Sequence, residues 1–268
     1  MNRRTFAAFT ATLLLTAPVL AAAPKVTEQD VTVPTINGEA EAVLFQPAAK
    51  GKYPAITLWP DLAGVRPAFR EIGRKIASAG FVVLLPNSFY RSAKLGATEP
   101  NMADPETRKT LMAHRAAATD DGIARDSMGY LSFLDKQKAV ATNKKAGTIG
   151  YDVGGGYAVR TAATQPDRVG AVAVFYGLGV ATPRPNSPHL LIPKTKATYY
   201  VAQSKDDDAR EPEDKTDIKA KIAEGGLTGT VDVYPANHGW ASPGGAAFDQ
   251  ASADRAIAEA VKLFKAKL

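Results

Sequence analysis

The run Gly150-Tyr151-Asp152-Val153-Gly154-Gly155 has the form of a strand-to-helix elbow. In such a turn the central side chain is presented at the tip, and small residues two places before and after it let strand and helix backbones approach closely. Gly150 and Gly154 fill those two places, and Ala146 to Ile149, small and apolar, leads in as a buried strand would. Elbows of this form carry a nucleophilic Ser or Cys at the centre; here the centre is Asp152. Backbone strain does not exclude it, because Asp tolerates positive φ better than most non-glycine residues.

Outward from the elbow, apolar runs alternate with helical patterns. Val31 to Val33 and Glu41 to Phe45 read as two short strands joined across Asn37-Gly38, a strong hairpin signal. Ala55 to Trp59 reads as a buried strand. Pro67 to Ala79 reads as a helix with Phe69, Ile72 and Ile76 at helical spacing, stopped by Gly80. Phe81 to Leu85 is a second buried strand, ended by Pro86. A polar loop from Asn87 to about Glu106 precedes a long helical stretch to about Lys136. Beyond the elbow helix come the strand Val169 to Tyr176, a Pro-rich excursion through Pro193 and the strand Thr198 to Gln203. A helix around Lys215 to Ala223, the strand Gly229 to Tyr234 and a closing helix Ala246 to Lys265 complete the chain. This alternation predicts the α/β class, a mostly parallel central sheet with helices on both faces. With no repeat or linker in the way, residues 24–268 are expected to form a single domain.

Residues 1–23 are a different object. Arg3-Arg4 precede the mostly apolar stretch Phe6 to Leu20, which runs into Ala21-Ala22-Ala23. That is the layout of a secretory signal, too short for a membrane span. Arg3-Arg4-Thr5-Phe6 also resembles a twin-arginine export signal. The expected location is therefore periplasmic or secreted, with no membrane attachment once the signal is removed. The formal charge is +6, and without Arg3 and Arg4 the chain has 31 basic against 27 acidic residues. A mild excess with no basic run gives nucleic-acid binding little support. The chain has no cysteine, which excludes disulfides, thiolate metal sites and a thiol nucleophile.

Ligands of open parallel sheets bind at the carboxyl ends of the strands, and several of those ends are polar here. Pro60-Asp61-Leu62-Ala63-Gly64 follows the first buried strand, Asn87 to Arg91 the second, Asp152 the third. Lys205-Asp206-Asp207-Asp208 follows a later one, and Asn237-His238-Gly239-Trp240 the last. Of the three histidines, His114 falls on a charged helix and His189 in the Pro-rich excursion, where surface or structural roles suffice. His238 falls downstream of an acid cluster in a Gly/Asn loop after the last strand. Nucleophile, acid, histidine is the chain order of α/β-hydrolase sites.

At these residues the chain resembles the dienelactone hydrolase family over nearly everything after the signal. The matching pieces are Trp59 to Gly64, Gly80 to Pro86 running into Phe89-Tyr90-Arg91, the elbow, the run Asp206 to Asp208 with Pro212, and His238-Gly239-Trp240. The resemblance implies an α/β-hydrolase fold and a Cys-His-Asp triad, which maps onto Asp152, His238 and one of Asp206, Asp207 and Asp208; Asp207 is the chosen acid. It implies an oxyanion hole from the backbone N–H groups of Leu62 and Val153. It also makes Asp61 the acidic neighbour of the nucleophile, Arg91 a substrate-carboxylate ligand and Trp240 part of the substrate site. A second carboxylate-binding arginine of the family is replaced by Ser242.

A carboxylate attacking an acyl carbon gives a mixed anhydride and is a poor nucleophile there. It works by displacing a leaving group from an sp³ carbon to give an ester that water then cleaves. Asp152 can alternatively act as a general base toward water, its pKa raised by a second carboxylate at Asp61, or the site can be catalytically silent and retained for binding. The expected function is hydrolysis of a small ester, lactone or related electrophile, without cofactor. No ligand spacing supports a metal at Asp61, Asp152 and His238. The loop Asn87 to Glu106 and the excursion Gly177 to Pro193 are expected to wall the pocket.

Overall fold

The computed structural model describes residues 25–96 and 100–268, so the export signal expected at residues 1–23 lies outside the described residues. The chain opens with an antiparallel hairpin, β1 (Val26–Thr35) and β2 (Gly38–Pro47), ten residues each. It is longer than the apolar pattern predicts. Backbone pairing sets the length of an edge hairpin, and its polar residues face water; Glu28 and Asp30 are gathered there by Arg70, and Glu28 by Arg74 as well. β2 pairs antiparallel with β4 (Val82–Pro86), and every later pairing is parallel. β3 (Ala55–Trp59), β5 (Ala146–Tyr151), β6 (Val169–Phe175), β7 (Thr198–Ser204) and β8 (Gly229–Tyr234) complete an eight-stranded sheet of order β1-β2-β4-β3-β5-β6-β7-β8. All residues of β3, β4 and β5 are buried, which is why they read as continuous apolar runs.

Two hydrophobic layers cover the two faces, as the alternation predicts. On one, α1 (Pro67–Ser78) and α7 (Gln250–Lys267) pack Phe69, Ile72, Ile76, Ile257 and Phe264 against the sheet. On the other lie α3 (Asp120–Asp135), α4 (Val153–Thr164) and α6 (Glu213–Glu224), with Ile123, Tyr130, Val159 and Ile218 buried. The single helical stretch expected up to Lys136 is two helices. α2 (Pro105–Ala117) ends before Thr119, whose hydroxyl accepts the Gly122 N–H at 3.2 Å and starts α3 as a new N-cap. α7 likewise begins later than Ala246, because Asp249 caps it through the Ser252 N–H. The acid run after β7 is itself a short helix, α5 (Lys205–Arg210), and the Pro-rich excursion contains a 3-10 helix, Pro188–Lys194.

Candidate active site

Asp152 sits between β5 and α4 at φ 51°, ψ −121°, a conformation that costs on the order of 1–3 kcal/mol. Tertiary contacts impose it. Its N–H donates to the Phe175 carbonyl at 3.1 Å, and its own carbonyl accepts the Gly155 N–H at 3.0 Å. A Cβ at Gly150 would stand 1.9 Å from the Gly154 carbonyl oxygen, and one at Gly154 would stand 2.5 Å from that of Pro60. Only glycines allow strand, helix and the loop after β3 to close on one another.

That closure brings the Leu62 N–H to 3.2 Å from Asp152 Oδ2, and the Val153 N–H lies near enough to favour the charged form of this carboxylate. Of the two donors expected to form an oxyanion hole, Leu62 is thus spent on the side chain itself. Oδ1 is buried without a hydrogen-bond partner and lies 3.6 Å from His238 Nε2. His238 in turn donates its Nδ1–H to Asp207 Oδ2 at 2.7 Å. Asp206 accepts the His238 backbone N–H at 2.8 Å and so fixes the loop, while Asp208 pairs with Lys215. Of the three aspartates, Asp207 is the one that meets the imidazole.

Burial pushes Asp152 up to about 6, with the nearby Asp61 charge adding to the rise, while His238 and the two N–H groups oppose it. For His238, burial alone would lower the pKa. The bond to Asp207 and the charges of Asp152, Asp207 and Asp206 raise it above the ordinary value instead. Burial would raise Asp207, but His238 and Arg210 hold its carboxyl below the usual carboxylate range. The imidazole is thereby oriented by one acid and faces the other.

Three expected substrate contacts are placed elsewhere. Arg91 grips the buried Asp126 with two bonds, 2.7 and 2.9 Å, and lies over the Tyr90 ring, so its charge is spent on α3. Trp240 is fully buried, stacked on Tyr234 and Phe175 in the core beneath the site. Asp61 is held by Arg66 at 2.7 and 3.0 Å, and Arg66 also donates to Ser242 at 2.7 Å. Asp61 therefore acts on Asp152 through its charge, without touching a ligand. Sequence reasoning missed Arg66, which lies in the loop with no motif around it. It missed Tyr176 too, a non-glycine residue at φ 38° whose ring meets His238 edge-on at 5.1 Å.

Asp152, Val153 and Leu62 open onto a cavity of about 700 Å³. The excursion walls it, with Leu178, Thr182 and Arg184. The opposite wall comes from α2, through Met112 and Arg115, and from α4, through Tyr157 and Arg160. The loop from Asn87 onward contributes no lining residue among those described. No group of three His, Asp or Glu among the described residues is arranged to hold a metal ion.

A mostly parallel sheet of this order, with a strained residue at a glycine-flanked elbow and a histidine after its last strand, defines an α/β-hydrolase. The model of the dienelactone hydrolase family matches residues 40–268, and the chain belongs to that family. A Synechocystis protein named for carboxymethylenebutenolidase is 25% identical over 89% of this chain and 96% of its own length. The carboxymethylenebutenolidase of Rhodococcus opacus is 28% identical over 52% of this chain and 49% of its own. Among solved structures, a Klebsiella pneumoniae chain named for dienelactone hydrolase superposes with a TM-score of 0.75 at 19% identity, covering 90% of this chain and 99% of that one.

Proposed function

We propose that the protein hydrolyses a small ester, lactone or related electrophile through an ester formed on Asp152. The observation that carries this reading is the asymmetry of the Asp152 carboxylate. Oδ2 accepts the Leu62 N–H, and Oδ1 is left without a hydrogen-bond partner in front of His238. In the first step Oδ1 attacks an sp³ carbon of the substrate. The bond from that carbon to its leaving group breaks, and the leaving group departs with the electron pair as a halide, or as a carboxylate where an ester or lactone is cut on its alkyl side. In the second step His238 takes a proton from water, and the hydroxide adds to Cγ of the Asp152 ester. The charge developing on Oδ2 is met by the Leu62 N–H already bonded to it, with the neighbouring Val153 N–H as the second donor of the proposal. Collapse expels the alkoxide, which takes the proton from His238 and leaves Asp152 as the carboxylic acid; that proton then passes to the neutral imidazole and on to solvent, which restores the carboxylate. Asp207 holds the imidazole in the tautomer this requires and stabilises its charged form.

The names of the relatives favour a lactone as the substrate. A single turnover in ¹⁸O-labelled water tests the chemistry. Label is expected in the Asp152 carboxylate and unlabelled oxygen in the first product. Turnover with all the label in the product would replace the covalent step with base catalysis. The absence of turnover on any activated ester, lactone or haloacid, together with esterase activity appearing in Asp152→Cys, would mark a silent site in the natural chain. The expected export is part of the same proposal. It is checked by mass spectrometry of the mature chain, which should begin within a few residues of Pro24.

A further inference from the structure

The cavity above Asp152 carries three arginines, and their charges are differently placed. Arg160 is neutralised by Asp120 at 2.7 Å and also bonds the Asn186 carbonyl. Arg184 is exposed at the outer wall. Arg115, on the cavity side of α2, is half-buried; its Nε is fully buried with no hydrogen-bond partner, and among the described residues it makes no ion pair. A buried guanidinium N–H without an acceptor is costly, because it has given up its bond to water and gained none in return. α2 buries no residue of its own, so packing gives no reason for an arginine there.

The other groups facing the same space are the Tyr157 phenol and three carboxylates: Asp120, taken by Arg160, Glu211, exposed at the rim, and Asp152 at the floor. Tyr157 is held edge-on against Trp59 at 5.6 Å, and after its burial the Arg115 charge is the largest influence on its hydroxyl. The cavity therefore has an anionic floor, an unneutralised cation on the α2 wall and a phenolic hydroxyl on α4 under that cation's influence.

We propose that Arg115 is the residue that selects substrates by charge, receiving a carboxylate substituent carried by the electrophile while Asp152 attacks another carbon of the same molecule. The assignment rests on the covalent reading of Asp152 for its catalytic consequence, but not for binding. It moves anion recognition away from Arg91, whose guanidinium is saturated by Asp126. A guanidinium takes a carboxylate through two parallel N–H bonds, which fixes direction as well as charge. An anion held this way is also kept off Asp152, whose own negative charge would otherwise repel it.

The binding test uses Asp152→Asn protein, which cannot turn over, titrated calorimetrically with acetate and with its neutral counterpart acetamide. The preference for acetate over acetamide is expected to fall at least tenfold when Arg115→Met is added and to be partly kept with Arg115→Lys. An unchanged preference in Arg115→Met, or a lysine variant as poor as the methionine one, overturns the proposal. The kinetic test compares chloroacetate with chloroacetamide in chains that retain Asp152. Arg115→Met is expected to lower the ratio of their kcat/KM values at least tenfold. If both substrates fall equally, the cation serves the departing anion and the proposal is overturned. If neither is turned over while acetate binding still depends on Arg115, the covalent reading fails and the anion site stands. Arg115 has no folded-state bond to lose, and unchanged thermal melting verifies that each variant folds.

Discussion

Asp152 is the residue at which stability and chemistry oppose each other. Its folded pKa of about 6 stands above the ordinary 3.8 because a carboxylate has been buried. Between those two values the folded chain holds a proton that the unfolded chain has released, so stability falls as pH rises through that window. Above about pH 6 the whole cost is present, on the order of 3 kcal/mol. Asp152→Asn is therefore expected to abolish turnover yet melt several degrees higher than the natural chain at pH 8. The two melting curves should converge below about pH 4, which scanning calorimetry across pH will show. The acid cluster separates in the same way. Asp207→Asn removes the partner of His238 Nδ1 and is expected to lower kcat by about 10²–10⁴. Asp206→Asn keeps an acceptor for the His238 backbone N–H and should cost far less, a contrast that steady-state kinetics on both variants checks. Asp152, His238 and the order of the site were legible in the sequence, because each follows a recognisable strand end. Asp207 came from resemblance, since no local signal ranks three consecutive aspartates. The position of Arg91 was misjudged because its partner, Asp126, lies 35 residues away on a helix whose polar face looks solvated.

At the scale of elements, each site residue is delivered by the end of a strand, and each strand end is fixed by a contact remote in sequence. β3 delivers Leu62 because Gly154 lets the loop after it approach α4. Arg91, in the loop after β4, ties that loop to α3 through a carboxylate only 1% exposed. Removing one partner of a buried ion pair leaves the other uncompensated, at about 3–5 kcal/mol. Arg91→Met is thus expected to lower Tm by roughly 10 °C, while leaving the preference of the cavity for acetate over acetamide in place. A large loss of that preference at unchanged Tm would contradict the structural role of Arg91. Strands and helices were legible where burial is continuous or amphipathic. The break between α2 and α3 was not, because a threonine that caps a helix looks like any polar residue inside one until the Gly122 N–H is seen to turn toward it. The full length of the hairpin was hidden for a related reason, as ladder bonds carry no signature in hydrophobicity.

Across the whole molecule, one sheet separates two hydrophobic layers, and Asp152, Leu62, Val153, His238 and Asp207 gather at one end of it, beside its central strands. All eight strands share that sheet, and α1 and α3 to α7 pack against it, so thermal unfolding of residues 24–268 is expected as a single transition with calorimetric and van't Hoff enthalpies equal; two resolved transitions would mean that the hairpin or the β7–β8 side folds separately. The architecture was readable because the alternation of strand and helix leaves few ways to cover a parallel sheet. The cavity was only half readable: the excursion was placed correctly as a wall, but α2 took the side expected of the preceding loop. One consequence follows from the carboxylate lodged against the Leu62 N–H. Boronic acids and trifluoromethyl ketones block serine and cysteine hydrolases by placing an anionic oxygen between two such N–H groups. In this protein Asp152 Oδ2 already takes the Leu62 N–H, so those reagents are expected to pass it by, and under the proposed covalent mechanism alkylating agents that esterify Oδ1 become its characteristic poisons.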